Sequence, residues 1–298
     1  MTAPTLVPVR APQPAPSRRR LTRNAIRRSQ ASPIAYTFLI VVLLASVFPL
    51  WWSFVIGSKD ATAINSGSVS LLPGGNFLAN ARTVIDTLPF WKALANSIIV
   101  SSAVSLVVVL LSTMAGFAFA KLRFRGKGVL LVFVIATMAV PTQLGIVPLF
   151  IVMSKLGWIG SLGAVIVPSL VNAFGVFWMT QYLKEALPDE LIEAARVDGA
   201  SIFRIFWNIA LPAARPGAAM LGLFTFIATW TNFFWPFIVL DPGNPTLPVA
   251  LQQLQARYYV DYSLVLAGVV LAALPLILVF AVAGRQLVSG IMQGAVKG

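Results

Sequence analysis

The side chains able to do acid–base, nucleophilic or metal chemistry are few in this sequence and unevenly placed. Nine Asp and Glu stand against 22 Lys and Arg, with no His and no Cys. Without imidazole or thiol the chain lacks the commonest proton shuttle and metal ligand, the thiolate nucleophile and thiolate metal sites, and disulfides are excluded. All nine acids lie outside the long apolar stretches, and five of them, Glu185, Asp189, Glu190, Glu193 and Asp198, fall within fourteen residues. On pattern alone such a cluster reads as a solvated loop whose acids serve solubility.

The residues around the acids prescribe a local shape. Pro188 suits the first position of a helix, Asp189 and Glu190 complement the positive end of its dipole, and Gly199 is placed to end it in a left-handed turn. Ile202, Phe203, Ile205, Phe206 and Ile209 then recur at helical spacing, predicting a second amphipathic helix that runs to Leu211-Pro212. The segment is therefore expected to be helix, glycine turn, helix.

What holds this hairpin is a membrane bundle. The chain of 298 residues is 58% hydrophobic and 10% charged, with mean hydropathy +0.86. Soluble domains carry about 25% charged residues. Six uncharged stretches are long enough to cross a hydrocarbon core: Ile34 to Ile56, Ser97 to Ala120, Val129 to Met153, Ile159 to Gln181, Ala218 to Leu240 and Ser263 to Gly284. Internal prolines such as Pro49, Pro141, Pro168, Pro236 and Pro275 are tolerated between membrane helices. The fold class expected is an all-α polytopic membrane protein with six transmembrane helices.

The net charge of +13 reports orientation rather than nucleic acid. Alternate connections hold 17 of the basic residues, against five on the other side (Lys59, Arg82, Lys92, Lys155, Arg257), so both termini are expected in the cytoplasm. Residues 1–31 hold seven Arg and no acid among many Pro, Ala and Ser, the composition of a disordered basic tail. Ser17-Arg18-Arg19 invites a twin-arginine signal, but the apolar stretch that follows is long, ends in Trp51-Trp52 and precedes five more spans. Residues 34–56 form the first span, 57–96 an extracellular connection, 97–284 a core of five spans with the acidic loop at 182–217, and 285–298 a cytoplasmic tail.

Glu193-Ala194-Ala195, Gly199 six residues after the glutamate, and then Ile209, Leu211 and Pro212 resemble the EAA motif of bacterial ATP-binding-cassette importer permeases. Asn96 to Lys127, Met138 to Gly157 and Phe177 to Gly217 resemble sugar permeases of the maltose-transporter type, and the ending Gly294-Ala295-Val296-Lys297-Gly298 is similar to that of their smaller permease subunit. The resemblance covers roughly residues 95 to 298. It implies a type I importer permease (MetI-like) fold in the bacterial inner membrane, N-in and C-in. It also implies that the hairpin is a coupling helix seated in a cleft of a cytoplasmic ATPase, with Glu190, Glu193, Ala194, Ala195, Asp198, Gly199, Ala200 and Pro212 at that contact.

The same resemblance implies a heterodimer with a second permease subunit, an ATPase dimer that holds ATP and Mg, and an extracellular sugar-binding protein. This chain would hold no cofactor or metal, and its surroundings would be lipid rather than nucleic acid. A C-terminal contact to the ATPase falls on Gly294, Val296 and Lys297. The binding-protein loop falls on Asp241 to Tyr262, with Gln253, Arg257 and Tyr259 as contacts. Trp230, Thr231, Asn232 and Phe233 in the aromatic fifth span are the candidates for lining a translocation path, aromatic faces and amides being suited to sugars. Family members often carry Trp-Asn followed by an acid here, whereas this chain has Thr231 and then Asn232. The cargo implied is a di- or oligosaccharide, cellobiose- or maltose-like, with glycerol phosphate or another small solute as the alternative. An ion-coupled secondary carrier is disfavoured by the uncharged spans, and a membrane enzyme by the lack of His, Cys or an intramembrane carboxylate. No P-loop pattern is present.

Overall fold

The computed structural model describes residues 32–62, 71–256 and 260–295, and no strand occurs among them. The basic tail at 1–31, Arg257, Tyr259, Val296 and Lys297 lie outside the described residues. Four helices are long and apolar enough to cross a membrane, and two bent pairs bring the count to six where each pair is one span.

Helix α1 (Pro33–Gly57) is apolar on every side, and up to Pro49 it forms a unit of its own, a surface suited to lipid or other membrane helices. Everything from Leu50 onward forms the second unit. There the amphipathic α2 (Phe77–Thr87) buries Ala81 and Val84. Next comes α3 (Phe90–Lys121), 32 residues long. At 1.5 Å per residue it measures about 48 Å, well beyond the ~30 Å hydrocarbon core. It therefore begins inside the segment read from sequence as the extracellular connection.

The length of α3 lets it join three packed clusters. Phe90 and Ala93 sit with Val84, Trp230, Leu247 and Leu251 at one end. Val100, Val104 and Val108 pack on Val165, Trp235 and Val239 in the middle. Phe117 meets Met179, Leu183, Ile192, Ile205 and Ala214 at the other end. Gly116 permits a close approach, since a Cβ there would lie 2.7 Å from the backbone of Met179.

Two spans that hydropathy reads as continuous are broken. Helix α4 (Lys127–Thr137) and the segment Thr142–Lys155, which contains α5 (Ile146–Lys155), meet at 89°. Pro141 at the junction is extended, with ψ 124°, and lacks the N–H that would continue a helix. The short α6 (Gly163–Ile166) and its 3₁₀ extension Val167–Ser169 bend by 40° into α7 (Ala173–Ala186), and the Asn172 side chain caps the new start by accepting from the Gly175 N–H at 3.2 Å.

The acidic segment forms α8 (Asp189–Val197), with Pro188 one position earlier than expected, as the extended residue preceding the helix. The second helix of the hairpin does not stop at Pro212. Helix α9 (Ile202–Ile205) runs through a π turn, Phe206–Ala210, into α10 (Leu211–Trp230), and Ile202–Trp230 forms one 29-residue span. A proline ring collides with the carbonyl four residues earlier in a regular helix, and the π turn widens the backbone where that carbonyl, of Asn208, lies. The chain ends in α11 (Phe234–Val239), α12 (Leu247–Gln252) and α13 (Tyr262–Ala295).

Candidate functional site

Helix α8 docks by one face and presents the other. Ile192 and Ala195, three residues apart, are buried in the cluster that also holds Leu183, Leu187, Ile205 and Ala210. Glu190, Glu193, Ala194 and Asp198 are exposed. The helix ends in a paired glycine stop: the Gly199 N–H donates to the Arg196 carbonyl at 3.0 Å and the Ala200 N–H to the Ala195 carbonyl at 2.9 Å. Gly199 sits at φ +75° with open space where a side chain would be. Ser201 then caps α9 by accepting from the Arg204 N–H at 3.3 Å. Because α9 continues into α10, the hairpin is continuous with a membrane-spanning helix.

A second linkage runs to α3. Lys121, its last residue, donates from Nζ to Oδ1 of Asp189 at 2.8 Å. This hydrogen bond, with the charge of Lys121 and of nearby Arg123 and Lys127, holds the Asp189 carboxyl below the usual carboxylate range. Nothing in the sequence paired these two residues.

An open cavity of about 770 Å³ lies where the helices break, and several of its wall residues, Gln143 and Asn172 among them, are exposed on this chain. Its walls include Thr137, Met138, Val140, Thr142 and Gln143 from the Pro141 break, Ser169, Val171 and Asn172 from the second break, and Thr225, Thr229, Asn232, Phe234 and Trp235 from the α10–α11 junction. Irregular backbone within membrane-spanning segments is stable only where protein or water satisfies it, and here the breaks converge on one space with hydroxyls and amides in its wall.

A sequence model of binding-protein-dependent transport system inner membrane components matches residues 108–290, which hold the broken spans, the hairpin and the cavity walls other than Val104. The chain belongs to this family. As an inner membrane component it is a multi-pass protein, and its curated relatives are transport system permeases. It is 30% identical to the arabinooligosaccharide transport system permease of Halalkalibacterium halodurans, over 91% of this chain and all of that protein. It is 31% identical to the lactose transport system permease of Rhizobium radiobacter, over 92% and 99%. It is also 27% identical to the sn-glycerol-3-phosphate transport system permease of Shigella flexneri, over 87% and 95%. Its fold matches a chain of a bacterial ABC transporter involved in importing the acidic polysaccharide alginate, with TM-score 0.73 and 24% identity over 85% of this chain and 94% of that one.

In this inner membrane component the residues expected to line the path separate. Asn232 borders the cavity. Trp230 is buried away from it, stacked on Phe226 and donating from Nε1 to the Ala272 carbonyl at 3.3 Å. Thr231 bonds back to the Ile227 carbonyl at 2.9 Å, and Phe233 stacks on Phe237. The other polar residues that line the cavity, Thr137, Thr142, Gln143, Ser169, Asn172, Thr225 and Thr229, come from three different spans. The proline and asparagine at two of the breaks were the available signal for them. In the loop after α11, Gln253 is half-buried and donates to the Pro242 carbonyl at 3.2 Å, while Leu247, Val249, Ala250 and Leu251 pack inward. Pro212 is half-buried inside the span, and Gly294 lies in the last turns of α13.

Proposed function

We propose that this chain is one permease subunit of an ATP-driven, binding-protein-dependent carbohydrate importer, working by alternating access beside a second permease. ATP and Mg belong to a pair of partner ATPases, whose closure is transmitted through α8. The observation that carries this reading is the construction of α8: Ile192 and Ala195 are fixed in the bundle while Glu193 stands in solvent on a helix tied to two membrane spans. A short rigid helix anchored in this way passes displacement to the spans, and its outward carboxylate is free to pair with a basic group on the ATPase. The names of the relatives support oligosaccharide as cargo, with sn-glycerol 3-phosphate as the second reading.

The test is Glu193→Ala in the assembled importer. Uptake and binding-protein-stimulated ATP hydrolysis both fall to background while the complex still assembles in the membrane. Wild-type rates in this variant, or uptake that survives loss of the ATPases, overturn the proposal.

A further inference from the structure

The importer reading leaves the charge of the cargo open, and the relatives include carriers named for neutral sugars and for a phosphate ester. The cavity at the helix breaks bears on this choice. Its wall carries amides and hydroxyls, among them Gln143, Asn172, Asn232, Thr137 and Thr229, and among the described residues none that lines it is ionisable. A phosphate or carboxylate taken out of water needs a cation or a dense set of donors to replace its hydration. A sugar hydroxyl needs one donor and one acceptor, which an amide or a threonine supplies. At 770 Å³ the cavity falls within the roughly 300–1,000 Å³ range of small-molecule sites.

One of these donors is also held in place. Asn172 uses its Oδ1 to cap α7 through the Gly175 N–H, so the rotamer is fixed and the Nδ2 group is left to donate. Asn232 stands at the α10–α11 junction and Gln143 in the 3₁₀ turn after Pro141, so the three amides belong to three separate breaks. Closing or opening any of these bends changes the spacing among them. That is how a site can bind in one conformation of a transporter and release in the other.

We infer that this subunit itself carries a subsite for an uncharged polyhydroxy solute, formed by the amides of Gln143, Asn172 and Asn232 at the three helix breaks. The inference rests on the importer reading above and adds to it the class of cargo and the residues that hold it. In this arrangement the chain contributes hydrogen bonds to the solute in addition to coupling.

The experiment uses the complete importer, with its own binding protein outside and ATP inside proteoliposomes. Lactose, maltose, cellobiose, an arabinooligosaccharide and sn-glycerol 3-phosphate are the radiolabelled probes. The expected result is uptake of at least one neutral sugar and exclusion of the phosphate ester. Gln143→Ala and Asn232→Ala each lower the solute carried per ATP hydrolysed by about tenfold, the loss of one good hydrogen bond. Asn172→Asp, which keeps the capping oxygen and adds a negative charge, lowers it at least as far and shows that the effect is not a folding failure. Uptake of the phosphate ester, uptake of no neutral probe, or wild-type stoichiometry in all three variants overturns the subsite. Failure of the binding protein to stimulate ATP hydrolysis in the wild-type complex overturns the importer reading instead.

Discussion

Lys121 Nζ lies 2.8 Å from Asp189 Oδ1, and the two ends of this ion pair live in different surroundings: the lysine side chain is 6% exposed and the aspartate 76%. Sixty-eight residues apart in sequence, they join the last residue of α3 to the first of α8. Since α3 also enters the two other packed clusters, the pair connects the hairpin to the residues packed around Trp235 and Trp230. Asp189→Asn leaves the lysine without its charged partner and loosens the start of α8. Binding-protein-stimulated ATP hydrolysis should fall roughly tenfold, within the range seen for residues along a coupling path. Asp189→Glu, which restores the charge, should recover much of the loss. Equal loss in both variants would remove the ion pair from the mechanism.

The same pair fixes a pH dependence. A carboxyl whose pKa is lowered by folding contributes stability that is present above its unfolded pKa and lost as pH falls through the folded one. Asp189 is lowered by Lys121, so the linkage is intact throughout the neutral range and disappears only below the ordinary aspartate range near ~3.9. Coupling that titrated between pH 5 and 7 in the wild type, and became flat in Asp189→Asn, would contradict this assignment.

Gly199 separates a backbone requirement from a contact requirement. Its φ of +75° disfavours a side chain, but among the described residues, its two chain neighbours aside, no atom lies within 4 Å of where a Cβ would be. Asn tolerates the left-handed region, whereas a β-branched residue does not. Gly199→Asn should therefore retain most uptake and Gly199→Val should lose it. If both fail equally, the open space above Gly199 is filled by the ATPase in the assembly, and the glycine is needed for close approach.

Much of this architecture is legible in the sequence because a bilayer imposes a simple code. Uncharged length marks spans, and Pro188, Asp189 and Gly199 mark the limits of α8 within a residue. The code fails where hydropathy is blind. Val129 to Met153 is apolar throughout, and nothing in its composition distinguishes a straight helix from one bent 89° at Pro141. Pro212 reads as a stop because the widened π turn that accommodates it carries no composition of its own. The cavity was invisible for a different reason. Asn232 stands out by its aromatic neighbours, but Thr137, Gln143 and Asn172 are unremarkable within their own segments and come together with it only when three breaks meet. Trp230 shows the converse, a residue conspicuous by type that the fold turns inward to Ala272.

Orientation rests on the basic residues and is open to direct labelling. The chain has no native cysteine, so single cysteines report cleanly. Cysteines at Arg125 and Asp198, both exposed, should be shielded from an impermeant thiol reagent in intact cells, whereas one at the exposed Gln255 should react. The reverse pattern would invert the topology and move the hairpin away from any cytoplasmic ATPase.

The opposite end of α3 is secured by hydrogen bonds rather than charge. Asn96, 6% exposed, donates from Nδ2 to Asn244 Oδ1 at 3.0 Å and to the Pro245 carbonyl at 2.9 Å. Asn244 in turn donates to the Gly160 carbonyl at 3.0 Å, and the Leu247 N–H donates to Ser97 Oγ at 2.7 Å. These bonds tie α3, the turn before α6 and the start of α12 into one polar knot beside the buried Leu247. Asn96→Leu fills the space but leaves two acceptors without a donor, at a cost of about 2 kcal/mol. Asn244→Ala removes one of those acceptors, so the double variant should lose less than the sum of the singles. Thermal unfolding of the purified complex in detergent measures both. Strict additivity would mean that Asn96 and Asn244 act independently, and that α3 is held at this end by apolar packing through Phe90 and Ala93 alone.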